Sequence, residues 1–118
     1  MSKCIIAPFK IMSNALKGFV SASGLVMYGR NVVHSVEIVG VCIETGKSYV
    51  KILDFCGEVY VSVVETSVMP GICYSLICKP YIKKGEIRLH CKSARRVCVF
   101  EEMFFWAEAL SLSKSIYS

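Results

Sequence analysis

The chain has 118 residues, 54% of them apolar and 19% charged, with a formal net charge of +5. That size leaves room for one domain with a modest core and excludes a second independent one. No apolar run approaches the roughly 20 residues a bilayer-crossing helix needs, and the short run after Met1-Ser2-Lys3-Cys4 is too brief for a secretory signal. A soluble, intracellular chain is expected, and so apolar a composition implies that some of its surface meets a partner.

In chain order, Ile5, Ile6, Pro8, Phe9 and Met12 form an extended lead-in to a short helix, roughly Ile11 to Lys17, closed by Gly18. A hairpin-like pair follows, Leu25 to Tyr28 and Asn31 to Val33, around Gly29-Arg30. Five apolar runs come next: Val36 to Ile43, Ser48 to Asp54, Glu58 to Val64, Gly71 to Lys79 and Glu86 to Cys91. Thr45-Gly46, Cys56-Gly57, Met69-Pro70-Gly71 and Lys83-Lys84-Gly85 punctuate them. Short β-rich runs between Gly/Pro breaks are the mark of a small sandwich or barrel, and five strands suggest a closed barrel. The early helix is expected to cap one of its mouths.

Side chains two apart on a strand share a face. In the second and third runs, Val50, Ile52, Val59, Val61 and Val63 make one β-branched face, and Tyr49, Lys51, Tyr60 and Ser62 lie on the other. Rings and cations on the second and third strands of a curved sheet are how OB-folds hold single-stranded nucleic acid. The loop Pro80-Tyr81-Ile82-Lys83-Lys84-Gly85 brings a further ring and two lysines to the rim of that groove. Lys79, Lys83, Lys84, Arg88, Lys92, Arg95 and Arg96 crowd one late segment, which suits a phosphate backbone.

After Val97 the period changes. Phe100, Met103, Phe104, Ala107 and Leu110 form one helical stripe, and Phe105, Ala109, Leu112 and Ile116 form a second beside it. Glu101 and Glu102 in the first turn and Lys114 near the end complement the helix dipole. Two stripes exceed what a small barrel can cover, so Phe100, Met103, Phe104, Phe105, Trp106, Ala107 and Leu110 are expected to meet other helices. The expected division is an OB-fold domain with its N-terminal extension over residues 1–98 and an oligomerisation helix over 99–118. The fold class is mainly β: a five-stranded OB-fold barrel with a short N-terminal helix and a long C-terminal α-helix.

Catalytic chemistry is not expected. Asp54, Glu58 and Glu65 are scattered acids, and His34 and His90 stand apart without an evident nucleophile. Seven cysteines, Cys4, Cys42, Cys56, Cys73, Cys78, Cys91 and Cys98, include no CxxC pair, so zinc spacing is missing. Neither a metal nor a cofactor is expected, and the thiols read as structural ones in a reducing compartment.

Ile6-Ala7-Pro8, Val26 through Gly29 to Val36-Glu37-Ile38-Val39-Gly40-Val41, Val50-Lys51-Ile52-Leu53-Asp54 and Arg95-Arg96-Val97 before Phe100-Glu101-Glu102 follow one another in an order and spacing that carry a resemblance. Across nearly its whole length the chain resembles the core of the middle subunit of replication protein A. The resemblance implies a nuclear, non-catalytic OB-fold subunit acting in DNA replication, repair and recombination. It further implies binding of single-stranded DNA, assembly with a large and a small OB-fold subunit through a bundle of C-terminal helices, and no membrane association. Tyr49, Lys51, Tyr60, Ser62, Tyr81, Lys83, Lys84 and Arg88 would meet the nucleic acid. Tyr81 falls at or near the family's stacking ring between the fourth and fifth strands, whereas the family's tryptophan on the third corresponds to about Val64, for which Tyr60 would substitute. The alternative is an OB-fold scaffold or telomere-capping subunit that binds other OB-fold proteins and little DNA.

Overall fold

The computed structural model describes residues 8–63 and 67–115; Ile5, Ile6, Val64, Glu65 and Ile116 lie outside them. A two-residue strand β1 (Phe9–Lys10) leads to a 3-10 helix over Ser13–Gly18 and a small meander of β2 (Phe19–Ala22), β3 (Leu25–Tyr28) and β4 (Asn31–Val32). Then come β5 (Val36–Thr45), β6 (Tyr49–Asp54), β7 (Gly57–Ser62), β8 (Cys73–Lys83) and β9 (Glu86–Arg96), and the helix α1 (Val99–Ser115).

The five long strands pair in the order β5-β6-β7-β9-β8, and β8 pairs back onto β5, so the sheet closes into a barrel. Every pairing in that ring is antiparallel except β7 with β9. Val36, Ile38, Cys42, Val50, Ile52, Val61, Leu76, Cys78 and Leu89 fill the interior and are almost fully buried. Period-two alternation puts them there, since only one face of each strand can point inward.

β5 holds β8 with its first half and β6 with its second, and its register shifts between Cys42 and Glu44. At this corner the backbone of β6 comes so close that a Cβ on Gly40 would stand 2.3 Å from the Leu53 carbonyl oxygen. Such a bend needs a residue without a side chain.

The early helix is a 3-10 turn that starts later than Ile11, because Met12 is extended. It sits over the β6–β7 turn, where the Asp54 carboxylate accepts from the Ser13 backbone N–H (2.6 Å), the Ser13 hydroxyl (2.7 Å) and the Cys56 N–H (2.9 Å). The meander has one strand more than the hairpin read from sequence: β2 pairs with β3 through a turn at Ser23 and Gly24, with φ of 53° and 78°.

The segment Pro80 to Gly85 is corrected most. It is strand up to Lys83, and only Lys84 and Gly85 make the turn, with φ of 52° and 79°, as a tight primed hairpin turn requires. β8 and β9 thus run past the barrel as a two-stranded arm. Pro80 is tolerated because β5 has ended by Cys78, so no neighbour needs the N–H that proline lacks.

α1 lies on the barrel beside β1 and β5. Phe105 and Ala109 pack with Met12 and Val39, the Trp106 indole N–H donates to the Val39 carbonyl at 3.0 Å, and Leu112 reaches the main core. Ion pairs from Lys10 to Glu108 and from Arg95 to Glu101 flank this contact, and the Cys73 thiol donates to the buried Glu102 carboxylate at 3.0 Å. Burial, with that carboxylate beside it, pushes the Cys73 thiol up to about 12.

Candidate nucleic-acid interface

The outward side chains of four neighbouring strands fall into two rows. Tyr49 on β6 faces Ser62 on β7, Ser62 faces His90 on β9, and His90 faces Lys79 on β8. The adjoining row holds Lys51 opposite Tyr60 and Arg88 opposite Tyr81. The closure of the barrel sets this grid, because β7 and β9 meet only where the ring joins strands distant in sequence.

Local contacts order the β6–β7 half. The Tyr49 and Tyr60 rings meet edge to face at 5.6 Å between centroids, and the Lys51 ammonium stands 5.0 Å from the Tyr60 ring centre and 3.2 Å from the Glu58 carboxylate. Its contacts with Tyr60 and then Glu58 raise the Lys51 pKa above the ordinary lysine value. The Tyr49 hydroxyl donates to Glu44 at 2.8 Å, which raises its pKa as well. Tyr60 remains 57% exposed, so one face of its ring is open to a flat partner.

On the β8–β9 side, Ser62, Lys79, Tyr81 and His90 line a concavity of about 360 Å³. The Ser62 hydroxyl hydrogen-bonds the His90 ring at Nδ1, 2.9 Å away, and reaches the Leu89 carbonyl at 3.3 Å. Tyr81 and Lys79 also border a larger hollow of about 580 Å³ between the arm and the meander, with Leu25, Val32 and His34.

The structure therefore brings Tyr49, Lys51, Tyr60, Ser62, Tyr81 and Arg88 onto one surface, with Arg88 paired to Glu86 at 3.1 Å. Lys83 and Lys84 stand at the exposed tip of the arm, beyond the two rows. Two residues not assigned to the site from sequence belong to it, Lys79 and His90. Their strand alternation put them outward, but only the barrel closure sets them beside Ser62. The basic segment divides: Lys79, Lys83, Lys84 and Arg88 belong to the arm, while Arg95 turns to α1.

The second expected site also divides. Phe100 (73% exposed), Met103, Phe104 (75%), Ala107 and Leu110 form an outward apolar stripe on α1, extended by Val99. Phe105 and Trp106 do not belong to it. They face the barrel, where Phe105 is buried and Trp106 lies beside Phe55 with ring centres 6.0 Å apart.

Among the described residues no group of three His, Cys, Asp or Glu is placed to hold a metal ion, and no helix is long and apolar enough to cross a membrane. The closed five-stranded ring with its parallel β7–β9 closure makes this an OB-fold protein. The chain belongs to the ECU03_1140 family, whose profile matches residues 36–112. It is 47% identical over 112 residues to the protein ECU03_1140 of Encephalitozoon cuniculi (strain GB-M1), covering 95% of this chain and 96% of that one. Its fold is similar to a chain of a replication protein A heterotrimer bound to single-stranded DNA, with a TM-score of 0.77 at 11% identity over 95% of this chain and 99% of that one. It is equally similar to a chain of the S. pombe Stn1–Ten1 complex, with a TM-score of 0.79 at 15% identity over 94% and 95%. A chain of yeast Stn1 and Ten1 gives 0.71 at 15% identity over 96% and 76%.

Proposed function

We propose that this chain is a non-catalytic subunit that holds single-stranded DNA within a nuclear heterotrimer of the replication protein A kind, serving replication, repair and recombination. The observation that carries the reading is the pair of outward rows, in which Tyr49, Tyr60 and Tyr81 alternate with Lys51, Lys79 and Arg88 over four adjoining strands. Rings stack on any base for roughly 1–3 kcal/mol each, and cations track the backbone. The likeness to a heterotrimer bound to single-stranded DNA supports this. The stripe from Phe100 to Leu110 is the surface for the large and small OB-fold subunits, as apolar side chains so exposed on a docked helix call for partner helices. Ser62 and His90 resemble a nucleophile–base pair, and the concavity around them is lined besides by Lys79 and Tyr81. A triad would also need a carboxylate to orient the imidazole, and Lys79 and Tyr81 suit a phosphate and a base instead.

The scaffold reading, a subunit of a telomere-capping type of complex that binds little DNA itself, is favoured by one feature. Lys51, Arg88 and Arg95 already carry carboxylate partners, which diminishes their attraction for phosphate.

Fluorescence anisotropy of a labelled oligothymidine separates the two. If Lys79, Lys83, Lys84 and Arg88 each neutralise a phosphate, the log–log salt slope is about −3, and a fourfold rise in salt costs roughly 50-fold in affinity. Duplex DNA should not compete. Absence of binding at low salt, or full competition by duplex, would contradict the DNA-holding subunit and favour the scaffold.

A further inference from the structure

Cys78 and Cys91 are Cα partners on the antiparallel strands β8 and β9. Residues facing each other in such a ladder alternate between hydrogen-bonded and non-hydrogen-bonded pairs, and the latter bring their side chains closer. Counting from the two-residue turn, Lys83 and Glu86 are hydrogen-bonded, Pro80 and Leu89 are not, Lys79 and His90 are, and Cys78 and Cys91 are not. Non-hydrogen-bonded partners stand about 4.5 Å apart at Cα, at the short end of the span a disulfide bridges.

Both thiols lie on the inward side of the arm's base. Cys78 is fully buried, whereas Cys91 is half-buried and borders a small polar cavity of about 150 Å³ with Ser67, Lys92 and Ser93. The Cys91 thiol lies on the Ser93 carbonyl at 3.4 Å. The neighbouring Cys91 thiol and then burial keep the proton on Cys78, and Cys78 beside it lowers the Cys91 thiol to about 7. None of the other described cysteines is Cα partner to a second cysteine across a strand pair: Cys42 is buried with its thiol on the Glu44 carbonyl, Cys73 is held protonated by burial and Glu102, burial raises the Cys56 thiol, and Cys98 is exposed between β9 and α1.

We propose that Cys78 and Cys91 are a modification site for peroxides, closing to a disulfide across β8 and β9. The Cys91 thiolate attacks one peroxide oxygen, the O–O bond breaks, and hydroxide leaves, giving a sulfenic acid. Cys78 sulfur then attacks the Cys91 sulfur, the S–O bond breaks, and the departing oxygen takes the Cys78 proton to leave as water. Two thiols are oxidised, one peroxide is reduced, and no further reductant or oxidant is required. The bridge lies one residue pair from His90 and Lys79 and ties the arm's base together, and the site stands whether or not the arm binds nucleic acid.

The test uses the full chain and hydrogen peroxide, followed by unfolding, alkylation and peptide mass spectrometry. The expected result is matched loss of alkylation at Cys78 and Cys91, with their peptides linked and Cys42 and Cys73 alkylated as before. The rate should rise with pH through neutrality, following the Cys91 thiolate. In Cys78→Ser, Cys91 should stop at a sulfenic acid that dimedone traps. Cys91 oxidised while Cys78 stays fully alkylated, or both alkylated as in the untreated chain, would overturn the proposal, and the wild-type chain alone decides it.

Discussion

Gly40→Ala should destabilise this protein severely. The added Cβ would meet the Leu53 carbonyl oxygen at 2.3 Å, the Ile52 Cγ2 at 2.8 Å and the Leu53 carbonyl carbon at 2.9 Å. A side chain can turn away from such a contact, but a backbone carbonyl at a barrel corner cannot move without opening the β5–β6 ladder. Overpacking of this kind costs about 3 kcal/mol or more, a large share of the 5–15 kcal/mol that typically holds a domain folded. Gly24→Ala is the informative contrast, since nothing lies within 4 Å of its Cβ position and only the φ of 78° is unfavourable. Its cost should be about 1–2 kcal/mol. Urea unfolding of the three proteins checks the order, and equal midpoints for Gly40→Ala and wild type would show that β5 does not cross β6 as closely as described.

Phe100→Glu together with Phe104→Glu should abolish assembly and leave the fold intact. Both rings are about three-quarters exposed, so charging them costs the isolated chain little, while burying two carboxylates in a helix bundle is prohibitive. Large apolar anchors at an interface contribute about 2 kcal/mol or more each, and losing two corresponds to roughly 1,000-fold in affinity. Co-expression with the OB-fold subunits proposed as its partners, followed by size-exclusion chromatography, reads the outcome. A complex that survives both charges would place the partner surface elsewhere. The opposite face gives a different result by the same logic, because Phe105 and Ala109 pack with Met12 and Val39, and changes there strike the chain's own stability.

The barrel was legible in the sequence because Val50, Ile52, Val59 and Val61 alternate at period two and short turn signals bound each run. Residues that break a rule for a tertiary reason were not legible. Pro80 reads as the start of a loop, yet it continues β8 because the strand that would have needed its N–H has ended. β2 carries no alternation, since Val20, Ser21 and Ala22 are all exposed, and its partner β3 alone defines it. The contact between Ser62 and His90 depends on the parallel closure of β7 on β9, which leaves no trace at either residue. On α1 both stripes were visible, and their similar apolarity hid which one faces home. The small Ala109 and the indole N–H of Trp106, which finds the Val39 carbonyl, decide it.

In the proposed function the two rows across β6, β7, β9 and β8 are a stacking and phosphate surface. Tyr60→Ala with Tyr81→Ala removes one ring from each half of that surface and no buried core contact, as Tyr60 is exposed and Tyr81 half-buried. At about 1.4 kcal/mol or more per ring, the pair should lower the affinity for oligothymidine roughly 100-fold while the salt slope stays near its wild-type value. That single comparison, double variant against wild type at one low salt concentration, is the most direct test. A 100-fold loss supports a single strand lying across Tyr60 and Tyr81, and an unchanged affinity would mean that this face does not hold DNA.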